Sequence, residues 1–469
     1  TEKEIRIDVF QLDVPTISIA DADKGFKVLQ GSELTITPIV DSFLETSYSW
    51  QINGEDISNE LTCTLPTIEL GEYQVRFATH NEDGDDEVTF KVEVCSPDQV
   101  DFNWTFLQTE YNMSAGRTIR IKPVDVNNAL DAVYTWTVDN EQVQSGENDT
   151  YLFTSEQQGE HTVKVEMKNS YILATQTLKV NVCPPAGTYQ RKISATSSAS
   201  MNRVYEYLPA PGQFINESHT TTTMAEACTY AEERINQTAY VSLGGFGGYI
   251  IVGFDHSIVN DGDYNIAITG NAFDGSSEPG IVWVMQDENG DGLPNDTWYE
   301  LRGSEYGKAE TWQDYAVTYH KPSGIQLPTP WTDNHGQSGS IDYLGAFHRQ
   351  DYYYPAWIKE KQYTLRGTRL KERNYDQSGN GTYWVNDSYE WGYADNFSAI
   401  DRLTDDDNYN AGPSDNHFKI SHAVTFDGKD ANLKYVDFIK VQVGVNSKSG
   451  WLGEISTEVF GIKDFNMLK

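Results

Sequence analysis

Basic residues are scarce in this chain. Its 469 residues hold 34 Lys and Arg against 70 Asp and Glu, a formal net charge of −36. A field of that sign repels phosphate backbones and anionic lipid heads, which argues against nucleic-acid binding and against docking on acidic membranes. Cysteine is rarer still. Cys63, Cys95, Cys183 and Cys228 are the four, and none stands in a Cys-x-x-Cys pair, so zinc ribbons and thioredoxin-type redox motifs are set aside. Their even number leaves two readings open: disulfides in an exported protein, or buried free thiols. No apolar run approaches the roughly 20 residues of a membrane-spanning helix. The chain opens TEKEIRIDVF, with neither an initiator Met nor a signal-type apolar stretch. The expectation is a mature, extracytoplasmic form whose signal and N-terminal lipid anchor have been removed.

Catalytic signatures are missing too. There is no G-x-S-x-G elbow, no H-E-x-x-H and no Walker loop; GSEYGK (303–308) has the wrong spacing for the last. GGFGG (244–248) lacks the spacing of a dinucleotide loop and reads as a bulged strand entry. A glycoside hydrolase needs only two carboxylates at the right separation, which 70 acidic residues neither display nor deny. No enzyme is expected.

Aromatic residues, by contrast, make up 12% of the chain, enough to build a large core despite the charge. The first 183 residues contain a repeat. LQGSELTITPIV (29–40) aligns with SAGRTIRIKPVD (114–125), and TSYSWQINGEDI (46–57) with AVYTWTVDNEQV (132–143). LGEYQVRFATHNE (70–82) aligns with QGEHTVKVEMKNS (158–170), and VTFKVEVC (88–95) with QTLKVNVC (176–183). A period of about 85 residues exceeds any solenoid unit and suits two tandem domains. Alternating strands around Trp50 and Trp136 indicate immunoglobulin-like sandwiches at 1–96 and 97–183. Both tryptophans fall mid-strand, where core packing outweighs ligand contact. The acidic turn NEDGDDE (81–87) and the triplet Asp405, Asp406, Asp407 read as solvated turns.

Cys-Pro-Pro-Ala-Gly (183–187) starts a linker, and residues 184–469 form a larger domain. One helix is expected, opened by the capping box Thr223-Met-Ala-Glu226. Strands are expected at 249–254, 264–270, 281–286, 297–303, 315–320, 422–426 and 436–445. The fold class is mostly β: two immunoglobulin-like sandwiches, then a jelly-roll-like domain with one short helix.

Two features of this domain carry chemistry. In the first, Asp287, Asn289 and Asp291 alternate before Gly292, followed by Leu293, Asn295 and Asp296. Hard cations take six to eight oxygens in a small cage, and this spacing offers them. Position twelve is Trp298 rather than a bidentate Glu, so the loop is not an EF-hand. It reads either as a structural Ca²⁺ site or as a hairpin turn rich in residues that tolerate positive φ. The second is an aromatic stretch from 331 to 393, from which Trp331, His335, His348, Tyr352, Tyr353, Trp384, Tyr389, Trp391 and Tyr393 are the candidate ligand-binding residues. Aromatic faces among polar neighbours suit flat rings, sugars or peptides. Core filling is the competing account of each. Neither histidine has a second at metal-binding spacing.

EPGIVWVMQDENGDGLPNDTWYELRGSEYG (278–307), YYPAWI (353–358) and VDFIKVQVGVNSKSGWLGEISTEVFGI (436–462) resemble the C-terminal domain of PKD-containing bacterial cell-surface lipoproteins. That group includes the BtuH-type vitamin B12-binding proteins of the outer membrane. The resemblance implies a surface-exposed, outer-membrane-anchored protein that captures cobalamin and passes it to an outer-membrane transporter. The alternatives are a glycan-binding surface lipoprotein and a glycoside hydrolase.

Overall fold

The computed structural model describes residues 12–20, 22–42, 44–96, 99, 102–127, 129, 131–169, 172–403 and 413–469. The triplet 405–407 and the opening TEKEIRIDVF lie outside them.

Two small sandwiches come first, and their five-stranded sheets repeat each other in strand order. One five-stranded sheet runs Phe26–Leu29, Gly84–Cys95, Gly71–Asn81, Ser47–Ile52, Glu55–Ser58. The other runs Glu110–Ser114, Leu173–Cys183, Gly159–Lys168, Val133–Val138, Glu141–Gly146. In each, the first pair is parallel and the remainder antiparallel. The register shifts directly after the tryptophan in both, at Trp50/Gln51 and Trp136/Thr137. The hairpins there turn through Asn53-Gly54 and Asp139-Asn140, all at positive φ, the turn type whose twist matches the flanking strands.

Alternation puts Trp50, Val75 and Phe77 fully inside the first sandwich, and Trp136, Val163, Val165 and Met167 inside the second. The acidic turn does more than meet solvent: Asp83 and Asp86 accept the N–H groups of Asp13 (2.7 Å) and Ile17 (2.8 Å). All four cysteines are free. Three are buried and act as small apolar residues; burial pushes the Cys183 thiol up to about 11.

In the second sandwich His161 is buried, with Nδ1 2.7 Å from Asp139 and Nε2 2.9 Å from the Gln157 carbonyl. Both partners accept, so the doubly protonated ring satisfies both. The Gln157 carbonyl, then Asp139, raises its pKa above the ordinary 6.5 against the opposing effect of burial. The His161 contribution to stability is therefore complete below the unfolded pKa and is lost as pH rises through the folded one. An NMR titration is expected to place the ring's midpoint above 6.5; a midpoint at or below it contradicts this pairing.

Residues 203–469 build the larger unit. A six-stranded antiparallel sheet runs Arg203–Leu208, Tyr249–Val259, Tyr435–Val443, Gly280–Met285, Trp298–Leu301, Ala423–Val424. Tyr435–Val443 is central, and all its residues except the half-buried Lys440 are buried, on both faces. Facing it are the three strands Ser414–Phe418, Ile266–Gly270 and Gly461–Asp464, with the pair Val241–Ser242 and Glu458–Val459. One core joins the two layers, with Ile250, Val252, Ile439 and Val441 on one side and Ile266, Ile268 and Ile462 on the other. The helix Met224–Asn236 adds Ala227, Ala231 and Ile235 to it. Thr223 accepts the Glu226 N–H as expected, whereas Glu226 reaches back to Thr222, one residue before the cap.

Beside the strand expected at 315–320, part of the aromatic stretch forms strands that period-2 reading missed, at Thr329–Asp333, Ser338–Ile341 and Gln362–Arg369. Ser338–Ile341, Thr329–Asp333, Trp312–His320 and Gln362–Arg369 make a four-stranded sheet with its own core of Tyr315, Tyr319, Tyr353 and Tyr354. GGFGG is the place where backbone meets backbone: a Cβ at Gly248 would sit 1.8 Å from the Leu243 carbonyl, and one at Gly244 2.1 Å from that of Ala210. Among the described residues no helix is long and apolar enough to cross a membrane.

Candidate functional site

The nine aromatic and histidine candidates do not converge on one cavity. Tyr353, Tyr389 and Tyr393 are core residues, each about 2% exposed. Their hydroxyls are used internally: Tyr353 donates to the His348 carbonyl (3.0 Å), Tyr389 to that of Lys371 (2.6 Å), and Tyr393 accepts the Glu305 N–H (3.0 Å). Trp331 and Tyr352 pack on the core of the four-stranded sheet. His335 stacks on Trp312 with centroids 4.3 Å apart, and His348 pairs with Glu217 at 2.6 Å. Trp384 lies against Gly450.

Of the nine, Trp391 lines a cleft between the two layers' edges and their connecting loops. This cleft of about 240 Å³ is walled by Tyr264, Leu301, Arg302, Trp391, Gly392, Ile400, Asp401, His417, Phe418, Lys419 and His422. The Trp391 and His422 rings stand 5.1 Å apart. Asp401 sets the backbone beneath the indole, accepting the Gly392 N–H at 2.6 Å and the Asn416 amide at 3.0 Å. Burial lowers both histidine pKa values, and Arg302 adds to the effect on His422, so both imidazoles are neutral near pH 7. Lys419 sits 4.6 Å over the Tyr264 ring. The site thus offers one indole face, two neutral imidazoles and two cations at the rim. Arg302, Asp401, His417, Lys419 and His422 were missed at the sequence level, because they come from three separate stretches.

The 287–296 loop is a ladder of turns. Asp287 accepts the N–H groups of Gly290 (2.7 Å) and Gly292 (3.1 Å), Asn289 that of Asp291 (2.9 Å), and Asp291 that of Leu293 (2.7 Å). The amides of Asn289 and Asn295 donate to Asp291, and Asp296 accepts the Glu288 N–H. The remaining Asp296 oxygen is buried without a hydrogen-bond partner among the described residues, and burial pushes its carboxyl up to about 8. The three aspartates do not bring carboxylate oxygens within 4.8 Å of one another. The loop also docks on the second sandwich. Asn112 donates to the Asn295 carbonyl, the Ser114 N–H to Glu288 (3.1 Å), and Arg117 pairs with Glu288 at 3.1 Å.

Comparison with known proteins concerns mainly the front of the chain. A family model described as PKD-like domain matches residues 14–81 and 106–169. No curated protein matches. Among solved structures, the fibronectin(III)-like modules of Clostridium thermocellum CbhA are 15% identical, covering 38% of this chain and 100% of that one at a TM-score of 0.20. The N-terminal Ig1-2 module of the Drosophila receptor protein tyrosine phosphatase DLAR is 12% identical, covering 36% and 97% at 0.18. Three N-terminal domains of the bacteriophage RB49 outer capsid protein Hoc are 13% identical, covering 36% and 69% at 0.16. The two sandwiches at the front of this chain, matched twice by one family model and built on one strand order, are PKD-like domains.

Proposed function

We propose that this chain is a non-enzymatic surface capture protein, with the PKD-like domains as spacers and the C-terminal domain as the binder of cobalamin. The observation behind this reading is the cleft around Trp391, where an indole face, neutral imidazoles and cationic rim groups meet in a mostly apolar recess. Cobalamin is larger than about 240 Å³, so the recess takes one flat part of it while the amide-rich corrin rim spreads over the surrounding polar surface. Capture by surface complementarity needs no bond to cobalt. Delivery to an outer-membrane transporter and anchoring at the cell surface through a removed lipid belong to the same proposal.

Calorimetric titration of the full chain with cyanocobalamin tests it. One-to-one binding is expected, and Trp391→Ala is expected to weaken it by about 1–3 kcal/mol. No heat and no spectral change overturn the cobalamin reading; full affinity in the variant moves the site elsewhere. The size of the recess supports a second reading, since it suits a single sugar ring stacked on the indole. Glycan-array binding without cobalamin binding decides for that one. Turnover of a bound glycan would instead make the chain a hydrolase.

A structural Ca²⁺ in the 287–296 loop is also proposed, with Asp287, Asn289, Asp291, Asn295 and Asp296 and the Leu293 carbonyl as its oxygens. The aspartates must close on the ion to form that cage. Chelation is expected to lower the Tm of the full chain, and Asp291→Asn to remove one bound equivalent. An unchanged Tm and unchanged stoichiometry rule the loop out.

A further inference from the structure

The sequence offered its calcium motif in a loop, yet among the described residues the three carboxylates that come close enough to share an ion lie elsewhere. Glu278 precedes the strand Gly280–Met285, Asp395 follows the segment that bears Trp391, and Glu458 opens the short strand Glu458–Val459. Oxygens from the three lie within 4.8 Å of one another. Ligands roughly 2.4 Å from a shared Ca²⁺ stand at most about 4.8 Å apart, so this spacing matches a calcium cage.

Backbone donors hold the group in place. Asp395 accepts the N–H groups of Asn271 and Ala272, both at 2.8 Å, with one oxygen, and that of Glu458 at 2.9 Å with the other. Glu278 accepts the Ser456 N–H at 3.3 Å. Asp395 and Glu458 are buried, at 1% and 4% exposure. A second observation points to a missing partner: Oε1 of Glu458 is buried and receives no hydrogen bond from a donor among the described residues. No Lys, Arg or His among the described residues forms an ion pair with any of the three. Buried like charges at this distance repel by several kcal/mol at an effective dielectric of about 20, and an unpaired buried carboxylate adds its own desolvation cost. Burial, then repulsion by the neighbouring carboxylates, accordingly raises the pKa of Glu278 and of Glu458.

We propose that Glu278, Asp395 and Glu458 form a buried Ca²⁺ site, distinct from the 287–296 loop. The ion neutralises the group and ties three remote segments of the sandwich together, one of them only four residues from Trp391. All-oxygen donors favour a hard cation, and the wide spacing favours Ca²⁺ over the smaller Mg²⁺.

The test counts bound calcium in the full chain, stripped by chelation and retitrated, by calorimetry and elemental analysis. Asp291→Asn, which disables the exposed loop, is expected to retain one equivalent and a Tm that rises on adding Ca²⁺. Glu458→Gln is expected to lose that equivalent, and so is Glu278→Gln, a milder change at the half-buried edge that serves if Glu458→Gln does not fold. An Asp291→Asn chain that binds no Ca²⁺ overturns the proposal. So does a folded Glu458→Gln or Glu278→Gln chain that binds as many equivalents as the wild type. In that case the three carboxylates hold shared protons instead.

Discussion

Arg117→Ala is expected to destabilise the junction between the second PKD-like domain and the C-terminal domain by about 3–5 kcal/mol, the usual range for breaking a buried ion pair from one side. Arg117 reaches across that junction, pairing with Glu288 at 3.1 Å and donating to the Gln286 side chain (3.0 Å) and the Ala431 carbonyl (3.3 Å). The Glu288 side chain is only 1% exposed, so truncating the arginine strands a buried carboxylate whose remaining donor is the Ser114 N–H. Arg120 and Lys122, both on Asp314, stay in place but are more exposed and contribute less. Hydrogen exchange in residues 110–114 and 286–297 of the full chain is the measurement. Exchange should accelerate there, and adding Glu288→Gln should restore part of the protection by removing the stranded charge. A change below about 1 kcal/mol would show that the junction does not depend on this pair.

Trp136→Ala is expected to cost the second PKD-like domain about 3–5 kcal/mol, the range for emptying a large buried aromatic site. The indole is fully buried, packs 5.5 Å from the Tyr151 ring, and sits where the sheet's register shifts. A domain of this size has a total stability of only about 5–15 kcal/mol, so the variant should melt far below the parent. The readout that isolates this domain is protection of the strand Gly159–Lys168 rather than the Tm of the full chain, to which all domains contribute. Trp136→Phe should recover much of the loss. If the alanine variant kept full protection in that strand, the tryptophan would not be the packing centre assigned to it.

The repeat was fully legible because each piece of it is local. Period-2 alternation, a mid-strand tryptophan and turn residues near the hairpins recur at nearly constant spacing, and the strands formed where that pattern stood. Apolar runs such as YIIVGF and VDFIKVQVGV likewise marked the inner strands of the larger sandwich. The strands from 329 to 369 went unread because bulky Trp and Tyr stand among Asp, Asn, Ser and Gly, so neither face alternates cleanly. The inward carboxylates left one faint sign: half-buried Glu278 and buried Glu454 and Glu458 stand beside or within otherwise apolar stretches, where an unpaired charge is unusual.

By itself, the amino-acid order determined that the chain is acidic and mostly β, with two like domains ahead of a different one. Those properties follow from composition, periodicity and repeat, all of which act over a few residues at a time. Only the tertiary structure decided which aromatics face a cavity. Tyr353, Tyr389, Tyr393 and Trp391 look alike in sequence, but sheet packing buried the first three and left the indole at a cleft. Likewise only folding brought Glu278, Asp395 and Glu458 together. Three carboxylates on strands and turns more than sixty residues apart carry no local signal of their shared place, because their proximity is a property of how the layers close.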